Sequence, residues 1–291
     1  KAGKSQVINF SLSINKVDLP EIVVRPGLNP ALVLLDSIIE NKSRNNREKL
    51  SSFRYEVYNK VEFDINNITD EFSQKKIFRP FAFAFDNVDT SSTNKKPFLP
   101  VFISEALSDV YYNREPKRQK EIIRASKVSG VENKTVTQFL GDMYQNTNVY
   151  DNFINVFDKS FVSPIAGIGP LYYRYYLVDS AFFDGRWCYK ITFQPRRKQE
   201  LTFVGDFWVH DTTYAIRKIS ARIAGDANIN FVEDLAVVQE FEMAGGSQWM
   251  VSKDILVVDF AANEDGMSFI GRKYASYKNF VLNSPMPESF F

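Results

Sequence analysis

Cysteine and histidine each occur once in the 291 residues, as Cys188 and His210. A single cysteine excludes an intramolecular disulfide, so the domain folds on packing and hydrogen bonds alone. One histidine cannot supply the two or three imidazoles of a zinc hydrolase. Charge of one sign is also scarce: 36 Lys plus Arg meet 35 Asp plus Glu, a formal net charge of +1. Such a balance gives no global field to attract a phosphate backbone, and nucleic acid is not an expected partner. No segment approaches the roughly 18 apolar residues of a membrane-crossing helix. The first ten residues, KAGKSQVINF, have neither the apolar run nor the cleavage site of a signal peptide. No repeat of fixed period is found.

What is abundant is aromatic: 26 Phe, 14 Tyr and 3 Trp, residue types that favour strands and ring-lined grooves. The stretch from Trp187 to Ile223 reads as three consecutive antiparallel strands. On the first, Trp187, Tyr189, Ile191 and Phe193 share one face; the second repeats the alternation with Leu201, Phe203, Phe207 and Val209. The third changes parity at Ile216, the mark of a bulge. Phe53 to Phe63 alternates as cleanly, with Arg54, Glu56, Lys60 and Glu62 opposite the apolar set. Asn29 followed by Pro30 reads as a helix start, with Leu32, Leu35, Ile38 and Ile39 on one stripe. A hairpin is expected around Arg114–Lys117, a helix across 133–146, and a mobile loop over Asp86–Lys96. Strands at Leu171–Val178 and on to Leu282 complete about seven segments spaced as an all-β meander, turned at Gly245-Gly246 and at Glu264-Asp265-Gly266. The expected fold is mainly β with inserted helices: a large curved antiparallel sheet or half-barrel whose one face the helices cover. Residues 1–25 are expected to be terminal strands of a preceding unit and a linker, 26–285 the sheet domain with a helical insertion around 64–165, and 286–291 a connection onward.

Catalytic chemistry finds little support in the residues. His210 beside Asp211 ends a strand at a turn, where both are expected to be solvated; a Cys188–His210 dyad would need the two groups within hydrogen-bond reach and an orienting third group, and the expected burial of Cys188 argues against it. The acidic turns Asn263–Gly266 and Asp86–Asp89 lack the ligand spacing of a calcium loop. Ala166-Gly167-Ile168-Gly169-Pro170 lacks the third glycine of a dinucleotide fingerprint. No catalytic, metal or cofactor site is assigned, and no cofactor is expected. Two sets remain as binding candidates. Tyr58, Tyr172, Tyr176 and Trp208 lie opposite the main apolar stripes and are expected to line a concave groove; Arg196, Arg197 and Lys198, at a hairpin tip, are candidate head-group contacts.

Several landmarks carry a family resemblance: LPEIVVRPGLNPA at Leu19–Ala31, YEVYNKVEFD at Tyr55–Asp64, FLPVFISE at Phe98–Glu105, QFLGDMYQN at Gln138–Asn146, and FVSPIAGIGPLYYRYYLVD followed by GDFWV. With these the chain resembles uncharacterised outer-membrane proteins of Bacteroidota, built from a carboxypeptidase-regulatory-like β-sandwich, a middle soluble region and a C-terminal membrane β-barrel. More distantly it is similar to the half-barrels of periplasmic lipoprotein carriers, which hold acyl chains under a helical cover. The resemblance implies a periplasmic domain at the outer membrane, non-enzymatic, that handles a lipid or acylated protein and works with its own barrel. Two other functions are weighed: a docking platform for outer-membrane assembly or secretion proteins, and an envelope glycan hydrolase.

Overall fold

The computed structural model describes residues 27–66, 89–90, 97–130, 140–141, 143–144, 147–157, 159–225, 229, 232–246, 248–260 and 268–291. The terminal strands expected within residues 1–25, the turn at Glu264–Gly266 and most of the Asp86–Lys96 loop lie outside them.

Among the described residues thirteen strands are formed: β1 (Ser52–Asn66), β2 (Asp89–Thr90), β3 (Pro97–Asn113), β4 (Arg118–Gly130), β5 (Phe153–Val156), β6 (Lys159–Val162), β7 (Tyr173–Phe183), β8 (Arg186–Pro195), β9 (Phe203–His210), β10 (Ile216–Ile223), β11 (Val232–Ala244), β12 (Gln248–Phe260) and β13 (Ser268–Leu282). Apart from the small β5–β6 hairpin they make one antiparallel sheet, ordered β3-β1-β13-β12-β11-β10-β9-β8-β7, with β2 and β4 both on the outer side of β3. The curved sheet does not close into a barrel: among the described residues β4 and β7 are edges.

Among the described residues one face of the sheet is covered and the other is open. On β1 the covered face takes Phe53, Tyr55, Val57, Val61, Phe63 and Ile65, all buried, and the charged residues take the open face, as the alternation predicts. Helix α1 (Pro30–Glu40) lies over the β7 end and buries Ala31, Leu35 and Ile38. Its cap works in two directions. The Asn29 side chain accepts from Ala31 N at 3.0 Å and donates to the Tyr175 carbonyl at 3.0 Å, so the residue that starts the helix also ties it to the sheet. Beneath, Tyr173, Tyr175, Ile191, Phe193, Phe203 and Phe207 form a closely packed aromatic core. Each such side chain contributes roughly 1.5–3 kcal/mol on burial. The Tyr173 hydroxyl donates to Val162 O at 2.5 Å and accepts from Phe203 N at 3.1 Å, so its polar end is satisfied inside that core.

The parity break at Ile216 is a register shift between Ile216 and Lys218 in the β9–β10 pairing. The amide that leaves the ladder there is not orphaned: Ile216 N donates to the Tyr150 hydroxyl at 2.9 Å.

Three expectations need correcting. The hairpin expected around Arg114–Lys117 is in place, but its arms β3 and β4 extend over residues 97–130 of the span read as a helical insertion, where Ser104, Ala106, Ser108, Val110 and Tyr112 alternate with period two. The described helical residues of the 133–146 stretch are Leu140, Gly141 and Met143. The segment read as a strand from Leu171 begins with a helical turn, α3 (Gly169–Tyr172), and turns to strand at Tyr173; a second short helix, α2 (Lys42–Asn45), follows α1. His210 ends β9 at the expected turn but is buried, not solvated. Its Nδ1 accepts from Thr213 N at 3.1 Å, and its ring lies 5.4 Å from Trp249.

Candidate functional site: a cavity on the covered face

Along the covered face of β3 the side chains are Ser104, Ala106 and Ser108, opposite Val61, Asn59 and Val57 of β1. Three small residues on alternate positions leave the face shallow there, where β8 and β9 present phenylalanine. The result is a cavity of about 330 Å³. Its floor is Tyr55, Val57 and Asn59 of β1 with Ser104, Ala106 and Val110 of β3; Tyr277 of β13 closes one side, and Gln119, Glu121, Ile123 and Ser126 of β4 the other. Tyr144 stands over it, its hydroxyl 2.8 Å from Ser104 Oγ. Met143 of the same turn is fully buried and rests on Gly271, where a Cβ would come within 3.2 Å of its thioether, so this glycine admits the cover. The volume lies at the lower end of the roughly 300–1,000 Å³ of small-molecule sites.

The lining is mixed in character. Tyr55 and Tyr277 pack edge to face at 5.2 Å, and burial raises the pKa of both hydroxyls, which stay neutral donors. Glu121, at the rim, is the one carboxylate among the lining residues. A row of polar or small positions runs from Ala106 across Asn59 and Ala275 to Asp254 and Gln239. Asp254 pairs with Lys273 at 2.9 Å, both almost fully buried, and Gln239 Nε2 donates to Asp254 Oδ1 at 3.1 Å and to Thr147 O at 2.9 Å. With that much hydrogen bonding the pair is held in place, a condition for a charged pair to persist without water.

The structure does not bring the four predicted groove residues together. Tyr58 lies on the open face of β1, its hydroxyl 2.5 Å from Glu105, a bond that pushes its pKa up to about 12. Trp208 lies on the open face of β9, edge-on to Phe183 at 4.8 Å with Lys190 Nζ 5.7 Å from its centroid. Five strand spacings, about 24 Å, separate those two strands. Tyr176 is exposed on edge strand β7, and Tyr172 packs at the margin of the core. Arg196, Arg197 and Lys198 do share a tip, between β8 and β9, and all three are exposed. Cys188 is buried and its thiol is pushed up to about 11 by that burial, with its sulfur 3.9 Å from Arg186 O. Among the described residues no three His, Cys, Asp or Glu side chains meet as a metal site.

Sequence reading missed the cavity because it sought large rings on the open face. The available signal was the opposite one, the small residues of SEALS at 104–108 set on a strand otherwise rich in bulky side chains.

No curated protein matches the sequence. Among solved structures the chain is similar to a DUF1329 family protein from Desulfovibrio piger, at 10% identity over 90% of this chain and 97% of that one, TM-score 0.36. It is also similar to a LolA superfamily protein from Nitrosomonas europaea, at 11% identity over 88% and 96%, TM-score 0.29. A third is the lipoprotein LppX of Mycobacterium tuberculosis, at 11% identity over 88% and 98%, TM-score 0.25. A family model matches residues 35–280, and the chain accordingly belongs to DUF5686, a family of unknown function.

Proposed function

We propose that the domain is a non-enzymatic carrier or receptor for an apolar chain, an acyl group of a lipid or lipoprotein, bound in the cavity over Ala106 and serving the periplasmic side of the outer membrane. The observation that carries this reading is the cavity itself: a covered face that is closely packed at β7–β10 and left hollow over Ser104 and Ala106. Each methylene removed from water there contributes about 0.8 kcal/mol. Tyr55, Tyr144, Tyr277 and Ser104 supply hydroxyls for a polar end group. A glycan hydrolase needs two carboxylates across the scissile bond, and Glu121 is the one carboxylate among the lining residues.

The test is the native mass of protein purified without detergent from a bacterial envelope. A discrete acyl-sized adduct, removed by organic extraction, is the expected result. Apo mass, together with no uptake of a fluorescent fatty acid by the extracted protein, would overturn the proposal.

One observation favours a second reading, a docking platform. The β4 edge is unpaired among the described residues, exposed along its length, and carries Ile122, Ile123 and Val128 in the open. An extended segment of a partner would add there as a further strand. Crosslinks concentrated on residues 118–130 would support that function over the first.

A further inference from the structure

We propose that the tip formed by α3 and the β8–β9 hairpin docks on an anionic lipid bilayer. Two side chains protrude from this tip: Leu171, 65% exposed, and Ile168, 38% exposed. A solvent-facing leucine needs no explanation alone, but these two sit beside three cations. Arg196 binds the hairpin to the turn, its backbone N donating to Tyr172 O at 2.7 Å and its Nε to Pro170 O at 2.8 Å and Tyr173 O at 2.9 Å. The hairpin is thereby fixed against α3, which puts the cation run 196–198 at the same end of the sheet as Leu171. The one carboxylate of the hairpin, Glu200, is half-buried and paired with Arg197 at 3.1 Å, so the tip keeps a positive excess.

Apolar side chains at the extremity, ringed by Lys and Arg, match the two layers of a bilayer surface: acyl boundary for the former, anionic head groups for the latter. The attraction has to be local, since the whole chain carries only +1 and has no long-range field. Edge strand β7 also exposes apolar residues, Tyr176, Leu177, Val178 and Phe182. It does not fit hydrocarbon as well, because a strand edge brings backbone N–H and C=O groups that lipid cannot satisfy. The tip presents side chains on a helical turn and a hairpin whose bonds to each other are already made. Docking in this way is independent of whether the cavity is occupied.

Co-sedimentation with vesicles of phosphatidylcholine mixed with phosphatidylglycerol, against phosphatidylcholine alone, tests it. The protein is expected to bind the anionic vesicles and to be released by salt. Leu171→Asp and the double variant Arg197→Glu/Lys198→Glu should each weaken partitioning about tenfold or more. Both changes are at exposed positions, and equal thermal unfolding of the variants checks that the fold is kept. Lys127→Glu on the opposite edge should leave binding unchanged. No binding to anionic vesicles, or binding that Leu171→Asp and the charge reversal both retain, overturns the proposal. Binding lost equally in Lys127→Glu overturns it too, since the contact would then not lie at this tip.

Discussion

The two ends of one sheet face differ in what they bury. At β7–β10 the covered face carries Tyr173, Phe193, Phe203 and Phe207, closed over by α1 and the β5–β6 hairpin. At β13–β1–β3–β4 the same face carries Ser104, Ala106 and Ser108 and opens into the cavity. Buried charges also avoid the aromatic end: Asp254 and Lys273 of the covered face are on β12 and β13, Asp64 is on the other face of β1, and among the described residues β7–β10 bury no Asp, Glu, Lys or Arg. One continuous antiparallel sheet is thus closely packed at one end and hollow at the other, according to the volume of the side chains it carries.

The largest effect expected is at the filled end. Phe207→Ala, at a fully buried position 5.9 Å from the Phe193 ring, should cost about 3–5 kcal/mol, read as a lower urea midpoint. Affinity of the remaining folded protein for a fluorescent fatty acid should not change. A parallel loss of affinity would break the division between the two ends.

A somewhat smaller effect sharpens it from the charged side. Burial raises Asp64 from 3.8 to about 6, against the opposing ion pair with Arg272 at 2.7 Å. The folded state therefore binds a proton that the unfolded state has released. Its contribution to stability is complete below pH 3.8 and is lost as pH rises through about 6, on the order of 3 kcal/mol in all. Urea unfolding across that window should lose this slope in Asp64→Asn, and an unchanged slope would refute the assignment.

Much of this fold was legible from residue order. The strict alternation of Phe53–Phe63, the Asn29–Pro30 helix start and the parity break at Ile216 each report a local rule, and each is found in place. Strand β3 was partly hidden: its alternation is of small and charged residues, Ser104, Glu105, Ala106, which carry little hydrophobic periodicity. The site was less legible still. Tyr58 and Trp208 look alike in sequence, as rings opposite an apolar stripe, yet strand order sets them five spacings apart. The cavity depends on which strands are neighbours, and the pairing of β1 with both β3 and β13 spans more than two hundred residues of chain. The cover of His210 includes Trp249, distant in sequence, which the local order of residues around the turn does not reveal.

The smallest expected change in stability belongs to the most direct test. Ala106→Trp places a large ring where the covered face is shallow; because the space is already open, unfolding free energy should move by less than about 1 kcal/mol. Titration of wild type and variant with a fluorescent fatty acid, each matched for its far-ultraviolet spectrum, is the measurement. Saturable binding by the wild type that the variant has lost is the result predicted. Equal binding by both proteins, or by neither, would contradict the assignment of this cavity as the site.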